Sequence, residues 1–174
     1  YGRIGRCFLR ALHESPCRDR LQVVAINEPA ALESIVYLTR FDSTHGRFPG
    51  AVEVQGQNLL IDGEAISVSH ETTPDTVDWQ GLGIDLVVEC SGRYSDRAGL
   101  SRFLAAGVPR LLLSHPANSA ADVDATIVYG INHEALAGSE KLVSNASCTT
   151  NAVVPVLDLL AREIGIEHVL LTTL

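Results

Sequence analysis

Apolar residues recur along the chain in spacings that predict alternating helices and strands. An i, i+3, i+4 spacing predicts helices at 3–14, 30–40, 96–106 and about 148–164. Short, mostly apolar runs predict strands at 21–26, 84–89, 110–113 and 125–128. The first run is rich in β-branched residues, which is typical of a strand buried on both faces. This alternation predicts an α/β fold with a doubly wound, Rossmann-type parallel sheet.

The middle of the chain follows a different pattern, which predicts small antiparallel additions to that sheet. The polar run 41–50 predicts a loop. Three strand-like pieces follow it, separated first by Gly56 and then by the pair Asp62-Gly63, a turn signal that favours hairpins. These pieces lie at 52–55, 58–61 and 65–69.

Both ends of the sequence have the features of an interrupted chain. It contains no methionine, begins inside a glycine motif without a strand before it, and ends in a strand-like run at 169–174. We therefore expect a fragment of a longer protein, which lacks the first strand of its sheet.

Composition and charge exclude several classes of protein. Apolar residues make up 46% and charged residues 20%, as in soluble globular proteins and unlike disordered or collagen-like chains. No apolar run reaches the roughly 20 residues that a membrane span needs. The net charge of −8 disfavours nucleic acid and anionic lipid as partners, so a phosphate-bearing ligand must be held by local donors.

The four cysteines indicate neither a zinc site nor a disulfide framework. They are widely spaced, and no CxxC pair occurs among them. A reduced, cytoplasmic setting and no bound metal are therefore expected. The cysteines are Cys7, Cys17, Cys90 and Cys148.

A partial dinucleotide-binding motif opens the chain. Gly2-Arg3-Ile4-Gly5 matches the last part of G-x-G-x-x-G, whose glycines allow a pyrophosphate to approach the backbone and a helix to pack closely on a strand. A plain glycine turn remains the alternative. Glu28 follows a predicted strand a little over 20 residues later, where a carboxylate binds ribose hydroxyls and favours NAD over NADP. A solvated carboxylate is the alternative there. Ser91 and Gly92 would lie at the same sheet edge.

A cysteine lies at the predicted start of the last helix. Ser147 is a good N-cap, which places Cys148 in the first turn, where backbone N–H groups stabilise a thiolate. The neighbours of Cys148 in the segment 144–151 are small and carry hydroxyl groups. A reactive cysteine and a buried structural one are the two interpretations.

Four segments together resemble the phosphorylating glyceraldehyde-3-phosphate dehydrogenase family, along the whole chain. They are Gly2 to Arg6, Ala25 to Pro29, Asp42 to Phe48, and the octet Ser144 to Asn151. Glu28 and the tripeptide Ser114-His115-Pro116 resemble the branch of the family that acts on erythrose 4-phosphate. One position departs from the family: Thr72 stands where an arginine is common near the cofactor.

The resemblance implies a role for individual residues. Cys148 would be the nucleophile, and Ser147 and Thr149 would contact the substrate with it. Residues 1–147 would form the NAD-binding domain, and 148–174 would begin a catalytic domain. The implied cofactor-binding residues are Gly2, Arg3, Ile4, Gly5, Glu28, Ser91, Gly92 and Ser114.

The implied reaction is NAD-dependent oxidation of erythrose 4-phosphate to 4-phosphoerythronate through a cysteine hemithioacetal and thioester, in pyridoxal phosphate biosynthesis. The partners would be this small phosphorylated aldehyde and three further copies in a homotetramer. The catalytic base would be a histidine directly after Leu174, and neither His45 nor His115 replaces it. The alternatives are a phosphorylating glyceraldehyde-3-phosphate dehydrogenase of glycolysis and a non-catalytic nucleotide-binding module.

Overall fold

The computed structural model describes residues 1–173 and confirms the predicted α/β class. The helical predictions are confirmed to within one or two residues at each end. The α-helices are α1 (Arg3–Glu14), α2 (Leu32–Arg40), α3 (Arg97–Ala105) and α4 (Cys148–Glu163). None of the helices in 1–173 has the length and apolar character that a bilayer crossing requires.

The strands form two four-stranded sheets and one hairpin of two strands, each two residues long. The first sheet contains β1 (Ala25–Asn27), β4 (Val52–Gln55), β5 (Asn58–Ile61) and β6 (Glu64–Ser69). The second contains β7 (Val87–Glu89), β8 (Leu111–Leu113), β9 (Ala125–Thr126) and β10 (Leu142–Ser144). The hairpin pairs β2 (Phe41–Asp42) with β3 (Gly46–Arg47).

The first sheet has the order β1-β6-β5-β4, and the predicted antiparallel hairpins are confirmed. The turn between β5 and β6 places Asp62 and Gly63 at φ 50° and 85°, the left-handed backbone that a tight hairpin turn of the right twist requires. Strand β1 pairs in parallel with β6. Ile35 of α2 and Leu59 of β5 lie in the apolar core against this sheet.

The second sheet has the order β7-β8-β10-β9, and all of its strands are parallel. Leu111 and Leu113 of β8 and Leu142 of β10 have at most 1% of their surface exposed. They pack in one core with Leu100 and Phe103 of α3. Because parallel strands end at the same edge, the loops that follow β7, β8 and β10 emerge side by side.

The strands predicted at 84–89 and 125–128 are confirmed only in part, as Val87–Glu89 and Ala125–Thr126, and three further positions differ. Only Ala25–Asn27 of the run at 21–26 joins a sheet, and Leu21 is exposed. The sequence pattern gave no prediction for β10, whose three residues are too few to show a period. The strand predicted at 169–174 is absent over 169–173, where no neighbouring strand pairs with it, and Leu174 lies outside the described residues.

The loop predicted at 41–50 also has more structure than expected. One carboxylate oxygen of Asp42 accepts hydrogen bonds from the N–H groups of Thr44 and His45, at 2.8 and 2.9 Å. These bonds close the turn between β2 and β3. Phe48, which follows β3, lies in the core of the first sheet. The hairpin could not be predicted from the polar composition of the segment, because its turn depends on the hydrogen bonds of the Asp42 side chain.

Asp124 should make the stability of the second sheet sensitive to acid. Its carboxylate accepts the N–H groups of Lys141 and Leu142, both at 2.9 Å, and pairs with Arg97 at 2.8 Å. Burial alone would raise the pKa of Asp124, but the Leu142 N–H, the Arg97 guanidinium and the Lys141 N–H outweigh it and lower the pKa. A lowered pKa contributes stability above the unfolded value of about 4, which is lost as the pH falls through the folded value.

We therefore expect Asp124→Asn to lower the free energy of unfolding by about 1–3 kcal/mol at neutral pH. Denaturation by urea over a series of pH values measures it. The difference between the two proteins should shrink below about pH 4, since the unmodified protein then loses its charged acceptor. A difference that stays constant down to strongly acidic pH would contradict this role of the carboxylate.

Candidate functional site

The glycine loop at the start of the chain leads directly into α1. Gly2 is the N-cap, and no side chain caps the first turn, so backbone N–H groups at this end stay available to an anion. A Cβ added at Gly2 would meet nothing within 4 Å, whereas one added at Gly5 would lie 3.4 Å from the Tyr1 ring and 3.7 Å from Cβ of Cys90. Gly2 thus faces open space, and Gly5 allows α1 to approach Cys90, the residue that follows β7.

Glu28 lies beside this loop, at the end of β1. One carboxylate oxygen is 2.9 Å from the backbone nitrogen of Tyr1, and the other accepts the N–H of Ala30 at 3.2 Å. A carboxylate acceptor therefore stands next to the glycine loop, as a ribose-binding carboxylate would.

The loops after β7 and β8 contact each other at the carboxyl edge of the second sheet. The N–H of Ser114 donates to the carbonyl of Glu89 at 3.0 Å, and the buried carboxylate of Glu89 accepts the N–H of Ser91. Gly92 has a φ of 71°, which favours glycine. Burial raises the pKa of the Cys90 thiol at the end of β7, which disfavours a reactive thiolate there.

Cys148 is the first residue of α4, and its side chain is exposed. Ser147 is the N-cap that the sequence predicts: its hydroxyl accepts the N–H of Thr150 at 3.0 Å. The exposed position disfavours the alternative of a buried packing cysteine. Thr149, the next residue, is half-buried in the same turn. An exposed thiol, a capping hydroxyl and free N–H groups thus occur together at the helix start.

Contacts connect these loops one to the next. Gly5 of α1 lies close to Cys90, which follows β7. The N–H of Ser114 joins the loop after β8 to the end of β7, and the carbonyl of Leu113 accepts the N–H of Asn145, three residues before Cys148. The glycine loop, the loops after β7 and β8 and the turn before Cys148 therefore form a continuous series of contacts.

Several contacts at this edge were not predicted from the sequence. Arg3 pairs with Asp42 at 3.1 Å, which joins the glycine loop to the β2–β3 hairpin. Nε2 of His115 lies 3.1 Å from the carbonyl oxygen of Tyr94. Ser144 and Asn151 make hydrogen bonds within the turn before Cys148. Single residue types carry no signal for such contacts.

The donor set of these loops is suited to an organic anion. The open backbone at Gly2, the Glu28 carboxylate and the exposed Cys148 fit a dinucleotide whose reactive end lies near a thiol. Across 1–173, no group of three or more histidine, cysteine, aspartate or glutamate side chains could hold a metal ion.

Comparison with known proteins agrees with this geometry. Residues 1–97 match the family model described as "Glyceraldehyde 3-phosphate dehydrogenase, NAD binding domain". The glyceraldehyde-3-phosphate dehydrogenase of Pseudomonas aeruginosa is 47% identical over 174 residues, covering 100% of this chain. The chain spans 51% of that relative's length. The parallel second sheet is Rossmann-like, and NAD is the cofactor. The chain belongs to the glyceraldehyde-3-phosphate dehydrogenase family.

Proposed function

We propose that the full-length protein oxidises a phosphorylated aldehyde, erythrose 4-phosphate, with NAD, and that Cys148 is the nucleophile. One observation carries this proposal: an exposed cysteine begins α4 behind the Ser147 cap, and the turn before it contacts the end of β8. In the same proposal, 1–147 form the cofactor domain and α4 opens the catalytic domain.

The chain's own groups supply the covalent part of the reaction. The Cys148 thiolate would add to the aldehyde carbon to give a hemithioacetal, with Ser147 and Thr149 close to the new bond. The glycine loop and Glu28 would hold NAD, which would supply a hydride acceptor for this carbon. The resulting thioester would react with water, which releases 4-phosphoerythronate and the free thiol. The free N–H groups at the start of α4 would stabilise the oxyanion.

The proton acceptor for the thiol lies outside the described residues in this proposal, directly after Leu174. The ring of His115 is engaged with the carbonyl of Tyr94, and its Nδ1 has no hydrogen-bond partner. His115 therefore holds the loop after β7 against the loop after β8, and the proposal assigns it no part in the proton transfer.

The preference for erythrose 4-phosphate rests on Glu28 and on the tripeptide Ser114-His115-Pro116. His115 connects two neighbouring segments. Its ring contacts the carbonyl of Tyr94 in the loop after β7, and its own carbonyl accepts the hydroxyl of Ser144 at 2.8 Å. His115 is therefore next to the turn that leads to Cys148, and we propose that it influences which aldehyde is accepted.

Glyceraldehyde 3-phosphate is the second candidate substrate. It is favoured by the Pseudomonas aeruginosa relative, which is named for this activity. Inorganic phosphate instead of water would then resolve the thioester. The two candidates share Cys148 and the NAD site, and they differ in the species that attacks the thioester.

Initial rates of NADH formation by the full-length protein separate the candidates. Each aldehyde is supplied with and without inorganic phosphate. We expect erythrose 4-phosphate to be oxidised with the higher kcat/KM and without a requirement for phosphate. Faster, phosphate-dependent oxidation of glyceraldehyde 3-phosphate would reverse the substrate assignment. No NADH from either aldehyde would instead favour a non-catalytic nucleotide-binding module.

A further inference from the structure

The turn before Cys148 contains a backbone conformation that L-residues rarely adopt. Ala146 has a φ of 56°, and only 4% of its surface is exposed. Glycine, which adopts this conformation without steric cost, is absent from 144–151. The left-handed residue lies between the end of β10 and the N-cap of α4, so it sets the direction in which α4 starts. A strained conformation persists only where surrounding contacts impose it.

Ser144 supplies the first of these contacts. Its side chain is completely buried, and its hydroxyl donates to the carbonyl of His115 at 2.8 Å. The same hydroxyl oxygen accepts the N–H of Ala146 at 3.1 Å. Ser144 therefore connects the loop after β8 to the left-handed residue itself. The carbonyl of Ser144 also accepts the N–H of Ile127, which holds this position in the sheet.

Asn151 supplies the second contact, from the next turn of α4. Its side-chain nitrogen donates to the carbonyl of Asn145 at 2.7 Å and to the carbonyl of Ser147 at 3.0 Å. These carbonyls flank Ala146 on both sides. One amide group thus closes the turn over Ala146 and ties it to the helix that begins with Cys148.

We propose that Ser144 and Asn151 are positioning residues that hold the left-handed turn at Ala146 and thereby fix Cys148 relative to the NAD-binding edge. Neither side chain touches a reacting atom in this role. The inference rests on the proposed function, because the reaction requires the thiol near both the aldehyde and the cofactor. A displacement of about 1 Å at a reacting centre can cost about 100-fold in rate.

The test compares Ser144→Ala and Asn151→Ala with the unmodified full-length protein. Asn132→Ala is the matched control, because the Asn132 side chain likewise clamps backbone, accepting the N–H of Val128 and donating to the carbonyl of Thr126. Three quantities are measured: kcat and KM with erythrose 4-phosphate and NAD, the melting temperature, and the alkylation rate of Cys148 by iodoacetamide without cofactor.

We expect both variants to lower kcat about 10- to 100-fold while KM for NAD changes less than about threefold. Alkylation of Cys148 should slow about 3- to 10-fold, since the thiolate loses its fixed place at the helix start. The control variant should match their loss of melting temperature yet keep kcat and the alkylation rate.

Two results would overturn the positioning role. One is an unchanged kcat and alkylation rate in both variants. The other is a loss of rate in Asn132→Ala as large as theirs, since the effect would then follow stability. If the unmodified protein oxidises neither aldehyde, the proposed function fails, and the alkylation rates alone still decide whether Ser144 and Asn151 position the thiol.

Discussion

Replacing Cys148 by serine is expected to lower kcat of the full-length protein by about three orders of magnitude or more. A serine hydroxyl at this position remains protonated at neutral pH and adds to an aldehyde far more weakly than a thiolate. The fold should be unaffected, because serine is close to cysteine in size and the cap of α4 is Ser147. Initial rates of NADH formation measure the loss, and the melting temperature checks that the variant is folded.

Cys17→Ser is the matched control for this prediction. Cys17 is also an exposed free cysteine, but it lies in a short 3₁₀ turn after α1. Its replacement should leave kcat within about twofold of the unmodified protein, as for other exposed substitutions. Near-normal turnover by Cys148→Ser would remove Cys148 from the chemistry. An equal loss in both variants would show that any cysteine change disturbs the protein.

The second large effect is expected in the core below the site, where Leu113→Ala should lower the free energy of unfolding by about 3 kcal/mol. Leu113 has 0% of its surface exposed and packs with Leu100 and Phe103 of α3. Truncation removes buried apolar surface and leaves a cavity that the rigid neighbours fill only in part. Chemical denaturation of the full-length protein measures the change.

Leu112→Ala is the control in the same strand. Leu112 is half-buried and faces the other side of β8, so its loss should be distinctly smaller. Equal destabilisation by the two variants would mean that the apolar core does not lie on the α3 side of the sheet.

The sequence allowed much of the fold to be predicted, because long periodic segments depend on local pattern. The spacing of Ile4, Phe8 and Leu12 predicted the bounds of α1 without error. The pair Asp62-Gly63 predicted the hairpin between β5 and β6, since its left-handed turn restricts the residue types that fit. Asp96, the N-cap of α3, accepts the N–H of Gly99 at 3.0 Å and lies at the predicted helix start.

The parts that were missed depend on contacts between distant residues. Strand β10 forms because Leu142 and Ser144 lie between β8 and β9, a position that three residues cannot encode alone. The β2–β3 hairpin depends on the two N–H groups that Asp42 accepts. Conversely, the apolar run at 21–23 lacks a neighbouring strand and stays outside the sheet.

The residues of the candidate site were likewise predicted only in part. Residue type and local order predicted Cys148, its Ser147 cap and the acidic Glu28, because a helix cap or a carboxylate after a strand has a sequence signature. Ser144 and Asn151 lie in the segment 144–151, but the sequence did not predict the hydrogen bonds by which they hold the turn before Cys148. These bonds depend on the φ of Ala146 and on which carbonyls face the Asn151 amide, and neither follows from a single sequence.

The pairing of Arg3 has a consequence for how the cofactor is held. Arg3 is the first residue of α1, yet its guanidinium already contacts the carboxylate of Asp42 and the hydroxyl of Ser43. A pyrophosphate at this helix end would therefore meet N–H dipoles at close range and no unpaired cation from Arg3. Dissolved ions weaken distant charge attraction far more than such short contacts. The affinity for NAD should accordingly change little with ionic strength.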